Sequence, residues 1–159
     1  MSNFDTVQKK LLDFFHIYAA PVLEKLDEAN IENLLYKRDN PVFSKEWMRI
    51  YTELSTLKKN KSVSSLYVST NEELRKNIFL QVLKISSQDD LAAYISDDFG
   101  LIFVSVVFTY SDEWVNGLWN EYQEKRIPQG ELQQSKRQIV LYDGFMTERK
   151  KQSVRIILE

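Results

Sequence analysis

The sequence predicts an α+β protein that is predominantly helical: a helical body over 1–125 and a loop and β-rich C-terminal segment over 126–159. Three observations predict this class. Apolar residues recur at helical spacing behind capping residues through most of the chain. Asp143-Gly144 is a strong hairpin turn that lies between two β-leaning segments. Only four glycines and three prolines occur, which argues against a turn-dense all-β design. A length of 159 residues fits a single domain, 1–159.

The first third of the chain predicts three helices. A capping pattern at Ser2 and apolar residues at helical spacing predict a helix over about 3–19. Pro21 suits the first position of a second helical stretch that reaches about residue 37. Ser44 can cap a third helix, which carries Trp47 and further apolar residues on one face.

The central third predicts four more helices after a short β-leaning stretch at 63–68. Thr70 with Glu73 has the capping-box spacing. Three serines, each followed closely by acids, then indicate consecutive helix starts. The helices predicted from these serines lie near 88–95, 97–109 and 112–125.

The segment from Phe99 to Tyr110 leaves two interpretations open. Its β-branched and aromatic residues are typical of a buried strand. A capping signal precedes it and no hairpin turn separates it from its neighbours, which favours a buried helix. We therefore predict a helix here and keep a strand as the alternative.

The C-terminal segment predicts a small antiparallel sheet. Arg137 to Tyr142 has the composition of a strand, and Phe145 to Thr147 can return along it after the hairpin turn. Val154 to Leu158 is a further strand candidate, and 63–68 can join the same sheet.

Charge is distributed very unevenly along the chain. Residues 85–124 hold eight carboxylates and neither lysine nor arginine, so this stretch sums to −8, whereas 1–84 sum to +2 and 125–159 to +4. The same stretch holds eight of the 20 aromatic residues. Acidic surface beside large apolar side chains suits binding of a basic protein, because opposite charge steers encounter and aromatic residues supply contact energy.

Helix chemistry offers a simpler explanation for most of these acids. Asp89-Asp90, Asp97-Asp98 and Asp112-Glu113 each follow a serine at a predicted helix start, where carboxylates complement the helix dipole. The absence of lysine and arginine from the stretch is not explained in this way.

Catalytic patterns are absent from the sequence. His16 is the only histidine and lies among aromatic residues, there is no cysteine, and the four glycines stand singly. A zinc site is therefore excluded, although the aspartate pairs could in principle hold Mg²⁺. We predict a non-catalytic protein without cofactors or metal. The sequence pI of about 5.6 argues against nucleic acid as a partner.

The compartment follows from the hydropathy pattern. The longest apolar-rich run has 12 residues, Phe99 to Tyr110, and a bilayer span needs about 20. The N-terminus lacks the apolar core of a secretory signal. We expect a soluble, cytoplasmic protein without membrane contact.

The predicted helix 112–125 separates into two faces. Its tryptophans and neighbouring apolar residues fall within one arc of about 140°, which predicts that they belong to the core. The opposite stripe is acidic and polar, a candidate docking face for a basic partner.

Size, layout, the lack of cysteine and of a credible active site, and the acidic stretch Ser87 to Glu124 together resemble the small bacterial immunity proteins that neutralise toxins. The resemblance implies a toxin domain as the partner, for example a basic nuclease. The residues that we then expect to face its cationic cleft are Asp97, Asp98, Glu113, Asn120, Glu121 and Glu124. The alternative is a helical adaptor that presents a groove to a peptide, which an exposed apolar trough along Phe99–Tyr110 would favour.

Overall fold

The computed structural model describes residues 3–61 and 63–141, and the regular structure within these ranges consists of six helices. Helix α1 runs through Asn3–Phe14, a π-helical turn at Phe15–Ala19 and a final α-helical turn at Ala20–Glu24. The other helices are α2 (Glu28–Asp39), α3 (Pro41–Lys59), α4 (Ser65–Ser86), α5 (Asp89–Val107) and α6 (Glu113–Gln123).

Helix α5 lies at the centre of the fold. All residues from Asp98 to Ser105 are buried, and α1, α2, α3 and α4 all pack against this helix. A helix that is apolar around its whole circumference is stable only when neighbours cover every side, which explains this position. The predicted helix over the Phe99–Tyr110 segment is therefore confirmed as far as Val107, and the strand alternative is wrong.

The prediction that α5 is two helices is wrong. Ser96 lies inside a continuous helix, where its hydroxyl donates to the carbonyl of Ala93 instead of capping a new start. Asp98, two residues further along, is buried in the core. Ser96 and Asp98 therefore match a capping pattern in the sequence, but in the structure their side chains make other contacts.

Other helix starts also differ from the predicted ones. Pro21 lies in the first turn of the segment Ala20–Glu24, as predicted, but that segment continues from the π-helical turn and ends at Glu24 instead of reaching residue 37. Asp27 caps a new helix, α2. Asn40, rather than Ser44, caps α3 by accepting from the amide of Val42. Ser64 caps α4, so the β-leaning stretch 63–68 mostly belongs to a helix, and Thr70 lies within it.

The α+β class is wrong, because the described residues form helices and contain no strand. Within the C-terminal segment, residues 137–141 are described and are not paired as a strand. The chain after α6 instead runs along that helix: the amide of Ser135 donates to the carbonyl of Glu113 at 3.0 Å, and Asn116 donates to the carbonyl of Ser135 at 3.1 Å. Helix α6 thus supplies hydrogen-bond partners that a neighbouring strand would otherwise provide.

The rest of the predicted sheet lies outside the described residues. This applies to Tyr142, to the Asp143-Gly144 turn, to Phe145–Thr147 and to Val154–Leu158.

Candidate partner-binding surfaces

A buried ion pair joins α2 to α5. Asp98 is fully buried and Arg38 is 4% exposed, and the guanidinium binds both carboxylate oxygens, at 2.7 and 2.9 Å. The indole of Trp47 donates to the same carboxylate at 3.0 Å, and the hydroxyl of Tyr122 donates to it at 2.6 Å. Arg38 also donates to the carbonyl of Pro128 at 3.0 Å. One carboxylate therefore ties together α2, α3, α5 and α6.

The environment keeps Arg38 charged and Tyr122 neutral. Burial by itself would lower the pKa of Arg38, but the adjacent carboxylate of Asp98 more than offsets this and raises it. Burial, and then the same carboxylate, raise the pKa of Tyr122 well above its usual value, so the phenol remains a hydrogen-bond donor. The side chains of Arg38, Trp47 and Tyr122 all donate to Asp98 inside the protein, so this cluster holds helices together.

Asp98 therefore has no surface to offer to a partner, although the sequence indicated it as a docking residue. Other carboxylates of residues 85–124 are also less free to bind a partner than the sequence suggests. Arginines of the same chain pair with three further carboxylates of the stretch: Asp97 with Arg75, Asp112 with Arg49 and Glu121 with Arg126.

The remaining four acids are exposed and form no ion pair within residues 3–61 and 63–141. They are Asp89, Asp90, Glu113 and Glu124. Asp89 and Asp90 occupy the first turn of α5, and Glu113 that of α6, as helix chemistry predicts. Asp112 caps α6 by accepting from the amides of Trp114 and Val115.

The predicted polar stripe of α6 is divided by the chain that follows it. Glu113 and Glu124 are exposed at the two ends of the helix, and Asn120 is half-buried. Gly117 lies between them and is buried, because residues 133–135 cross the helix there. Beyond the crossing, Asn120, Glu121 and Glu124 border a cavity of about 310 Å³ together with Arg126 and Arg137. The apolar face of the helix is buried, with Trp114 and Trp119 at 2% and 3% exposure.

Two adjoining cavities form a groove alongside α3. One, of about 200 Å³, lies between α2, α3 and α5. The other, of about 420 Å³, lies between α3, α4 and α5. Trp47, Met48 and Asp97 border both. Met48 is 53% exposed, and Trp47 stacks on the half-exposed Tyr51 with ring centroids 5.7 Å apart. The floor of the larger cavity is Gly100, Leu101 and Val104, whereas Phe99 and Ile102–Phe103 are buried away from it.

Sequence reasoning did not predict this groove. Its aromatic residues come from α3 and α5, which are about 50 residues apart in the chain, and helical spacing alone placed Trp47 only on the apolar face of its own helix. One signal was present in the sequence: Trp47, Met48, Ile50 and Tyr51 are more apolar residues than one core-facing stripe requires. In the structure Met48 and Tyr51 are the exposed ones.

Metal-binding clusters and membrane-spanning helices are both absent from the described part of the chain. Residues 3–61 and 63–141 contain no group of three or more histidine, aspartate or glutamate side chains placed to hold a metal ion. Among the same residues, none of the helices combines the length and apolar character that crossing a bilayer requires. His16 lies exposed on the π-helical turn of α1.

Within its described residues, this is an all-helical protein whose buried charges join helices and whose aromatic and acidic residues border grooves at the surface, the features of a small binding protein. The sequence profile of the family Immunity protein PIM1 matches residues 15–129. The match covers most of the chain, and the chain belongs to this family. The resemblance to immunity proteins is confirmed, and membership supports an immunity protein's role. A search of curated proteins found no match.

Proposed function

We propose that this protein binds a basic toxin domain, such as a nuclease, in the cytoplasm and neutralises it without catalysing a reaction. The observation that carries the proposal is the family match over residues 15–129. That range contains all of α2–α6 and every candidate docking residue. An immunity protein acts by occupying its target, so surface complementarity is what the function requires.

The acidic positions around α6 support a basic partner. Glu113 and Glu124 are exposed and unpaired among the described residues, and Asn120 lies between them on the same side of the helix. Their spacing of eleven residues brings the two glutamates to within about 20° of each other around the helix axis. We assign the docking face to these residues together with Glu121 and Asp97.

The five residues contribute unequally in this proposal. Glu121 and Asp97 already hold arginines of the same chain, so their net charge toward a partner is small. Glu113 and Glu124 form no ion pair among the described residues, although Arg126 lies close enough to Glu124 to interact with it electrostatically. Exposed charges of this kind act mainly on the association rate, because they steer encounter over roughly a Debye length.

The experiment takes its toxin candidate from the reading frames adjacent to this gene, choosing a large one whose product ends in a basic domain. Co-expression of this protein should relieve the growth arrest that the toxin domain causes, and the two should co-purify at a fixed stoichiometry. Growth arrest that persists in the presence of well-expressed, folded protein, with no complex recovered, would contradict the proposal.

The adaptor alternative receives less support from the structure. An exposed apolar trough along Phe99–Tyr110 would have favoured it, but the residues from Phe99 to Ser105 are buried. The groove that exists owes its exposed apolar side chains to α3.

A further inference from the structure

The smaller cavity of the groove combines aromatic walls with an acidic rim. Phe43, Trp47 and Tyr94 supply the rings, and Asp39 and Asp97 stand at the rim. Its volume of about 200 Å³ is below the roughly 300–1,000 Å³ typical of small-molecule sites. That size suits one long side chain inserted from a partner protein.

The walls of this cavity are held in place by hydrogen bonds. The indole N–H of Trp47 is fixed on buried Asp98 at 3.0 Å. The phenol of Tyr94 donates to the carboxylate of Asp39, and this hydrogen bond, followed by burial, raises the pKa of Tyr94 to about 12. Rings fixed in this way lose little conformational entropy when a ligand binds, which favours affinity.

The charge balance around the cavity favours a cation. Arg38 itself lines the cavity and lies over two of its rings, 4.4 Å from the ring centre of Phe43 and 5.1 Å from that of Tyr94, but its charge is compensated by Asp98. Asp97 is likewise paired with Arg75. Asp39 forms no ion pair within the described residues and has Tyr94 as its hydrogen-bond donor. The lining and its immediate partners therefore sum to −1.

We propose that this cavity receives a cationic side chain of the toxin, an arginine in preference to a lysine. A planar guanidinium can stack on the ring of Trp47, which Arg38 does not cover, while donating to the carboxylate of Asp39 at the rim. Both interactions strengthen where water is excluded. Met48, which borders both cavities, and Tyr51, which borders the larger one, contact the apolar neighbours of that arginine. This inference rests on the proposed function, since it names the part of the toxin that is held.

The cavity can be tested without the toxin. The probe is the peptide acetyl-Ala-Arg-Ala-amide, and the matched control has citrulline, which keeps the shape of arginine without its charge. The indole N–H resonance of Trp47 is followed by NMR during titration, with those of the buried Trp114 and Trp119 as internal references. We expect a saturable shift of the Trp47 signal, and binding of the citrulline peptide at least about tenfold weaker.

The variant Asp39→Asn sharpens this test. Asparagine can still accept from the Tyr94 hydroxyl, so the wall stays in place while the charge at the rim is lost. We expect arginine-peptide binding to fall several-fold in Asp39→Asn and to be unchanged in Glu24→Gln, an exposed acid outside the lining. Equal binding of the two peptides, an unmoved Trp47 signal, or no effect of Asp39→Asn would each overturn the inference.

The same variant separates this inference from the proposed function. If wild-type protein binds and neutralises the toxin but Asp39→Asn does so with equal affinity, the cavity assignment fails and the immunity function stands. If no toxin binds, the peptide titration still reports on the cavity by itself.

Discussion

Asp98 carries a charge in the interior and accepts four hydrogen bonds there. A buried carboxylate is costly unless partners surround it, so Arg38, Trp47 and Tyr122 have to be in position when the protein is folded. The pair adds orientation as well as energy, because the guanidinium fork binds the carboxylate with both of its terminal nitrogens. The wall of the groove depends on this pair through Trp47.

The sequence holds a signal for this pair that a capping interpretation concealed. Asp98 follows Leu91 and Ile95 at the spacing of one helix face and precedes Ile102 on it. Arg38 likewise follows Ile31 and Leu34 on one face of α2. Two opposite charges on two apolar stripes predict a buried ion pair, whereas the serine and double aspartate at 96–98 imitate a helix start.

Two neighbouring aspartates provide a matched comparison of buried and exposed pairs. Asp98→Asn leaves the charge of Arg38 uncompensated in the core, and we expect it to lower the free energy of unfolding by about 3–5 kcal/mol. Asp97→Asn removes an exposed pair with Arg75 and should cost at most about 1 kcal/mol. Urea denaturation of both variants measures the difference. Similar losses for the two would contradict the structural role of Asp98.

At the scale of elements, helices with strong apolar periodicity were predictable from the sequence. The exact starts of several helices and the path of the chain after α6 depend on tertiary contacts and were not. The start of α6 was predicted from local residues, although the cap is Asp112 and not the preceding Ser111. The chain after α6 shows the limit, because the β-leaning residues 137–141 can form a strand only beside another strand. Within the described residues no such partner exists, and the preceding Ser135 is hydrogen-bonded to α6, which nothing local in the sequence specifies.

Gly117 tests the crossing of residues 133–135 over α6. A Cβ at this position would overlap the carbonyl oxygen of Gln133, a backbone atom that cannot rotate away. In Gly117→Ala the helix gains propensity of about 1 kcal/mol, but the crossing segment has to move. We expect faster hydrogen exchange at the amide of Ser135, which donates to α6, and unchanged exchange in α4. Unchanged protection of Ser135 would show that the crossing is not tight.

The cap of α6 has a predictable dependence on pH. Burial by itself would raise the pKa of Asp112, but hydrogen bonds from Arg49 and from the amides of Trp114 and Val115 lower it below the ordinary 3.8. Because the pKa of Asp112 is lower in the folded than in the unfolded state, its carboxylate stabilises the fold at any pH above the unfolded-state pKa. This stabilisation is lost as the pH falls through the folded-state pKa.

Asp112→Asn isolates this contribution, because asparagine is an equally good cap without the charge. The variant should be less stable than wild type at pH 7. Chemical denaturation should show that the difference persists down to about pH 4 and shrinks below pH 3.8 as the wild-type carboxylate takes up its proton. A difference that is the same at pH 7 and pH 3 would contradict an ionic origin.

At the scale of the whole molecule, half of the conspicuous acids serve the fold. Asp97, Asp98, Asp112 and Glu121 each bind an arginine that lies elsewhere in the chain, so a stretch of −8 in sequence presents far less charge at the surface. This distribution could not be predicted from the sequence, since three of the four arginines lie more than 20 residues away. Size, composition and the lack of a catalytic pattern did indicate the immunity class.

The measurement that tests the central claim most directly is the association rate with the toxin domain, taken by stopped flow at low and high salt. The double variant Glu113→Lys with Glu124→Lys should slow association at least about tenfold at low salt, with the effect much reduced at high salt. The control, Glu24→Lys with Glu73→Lys, makes the same change of charge on α1 and α4 and should slow it far less. Equal association rates for wild type and both variants at low salt would contradict an acidic docking face on α6.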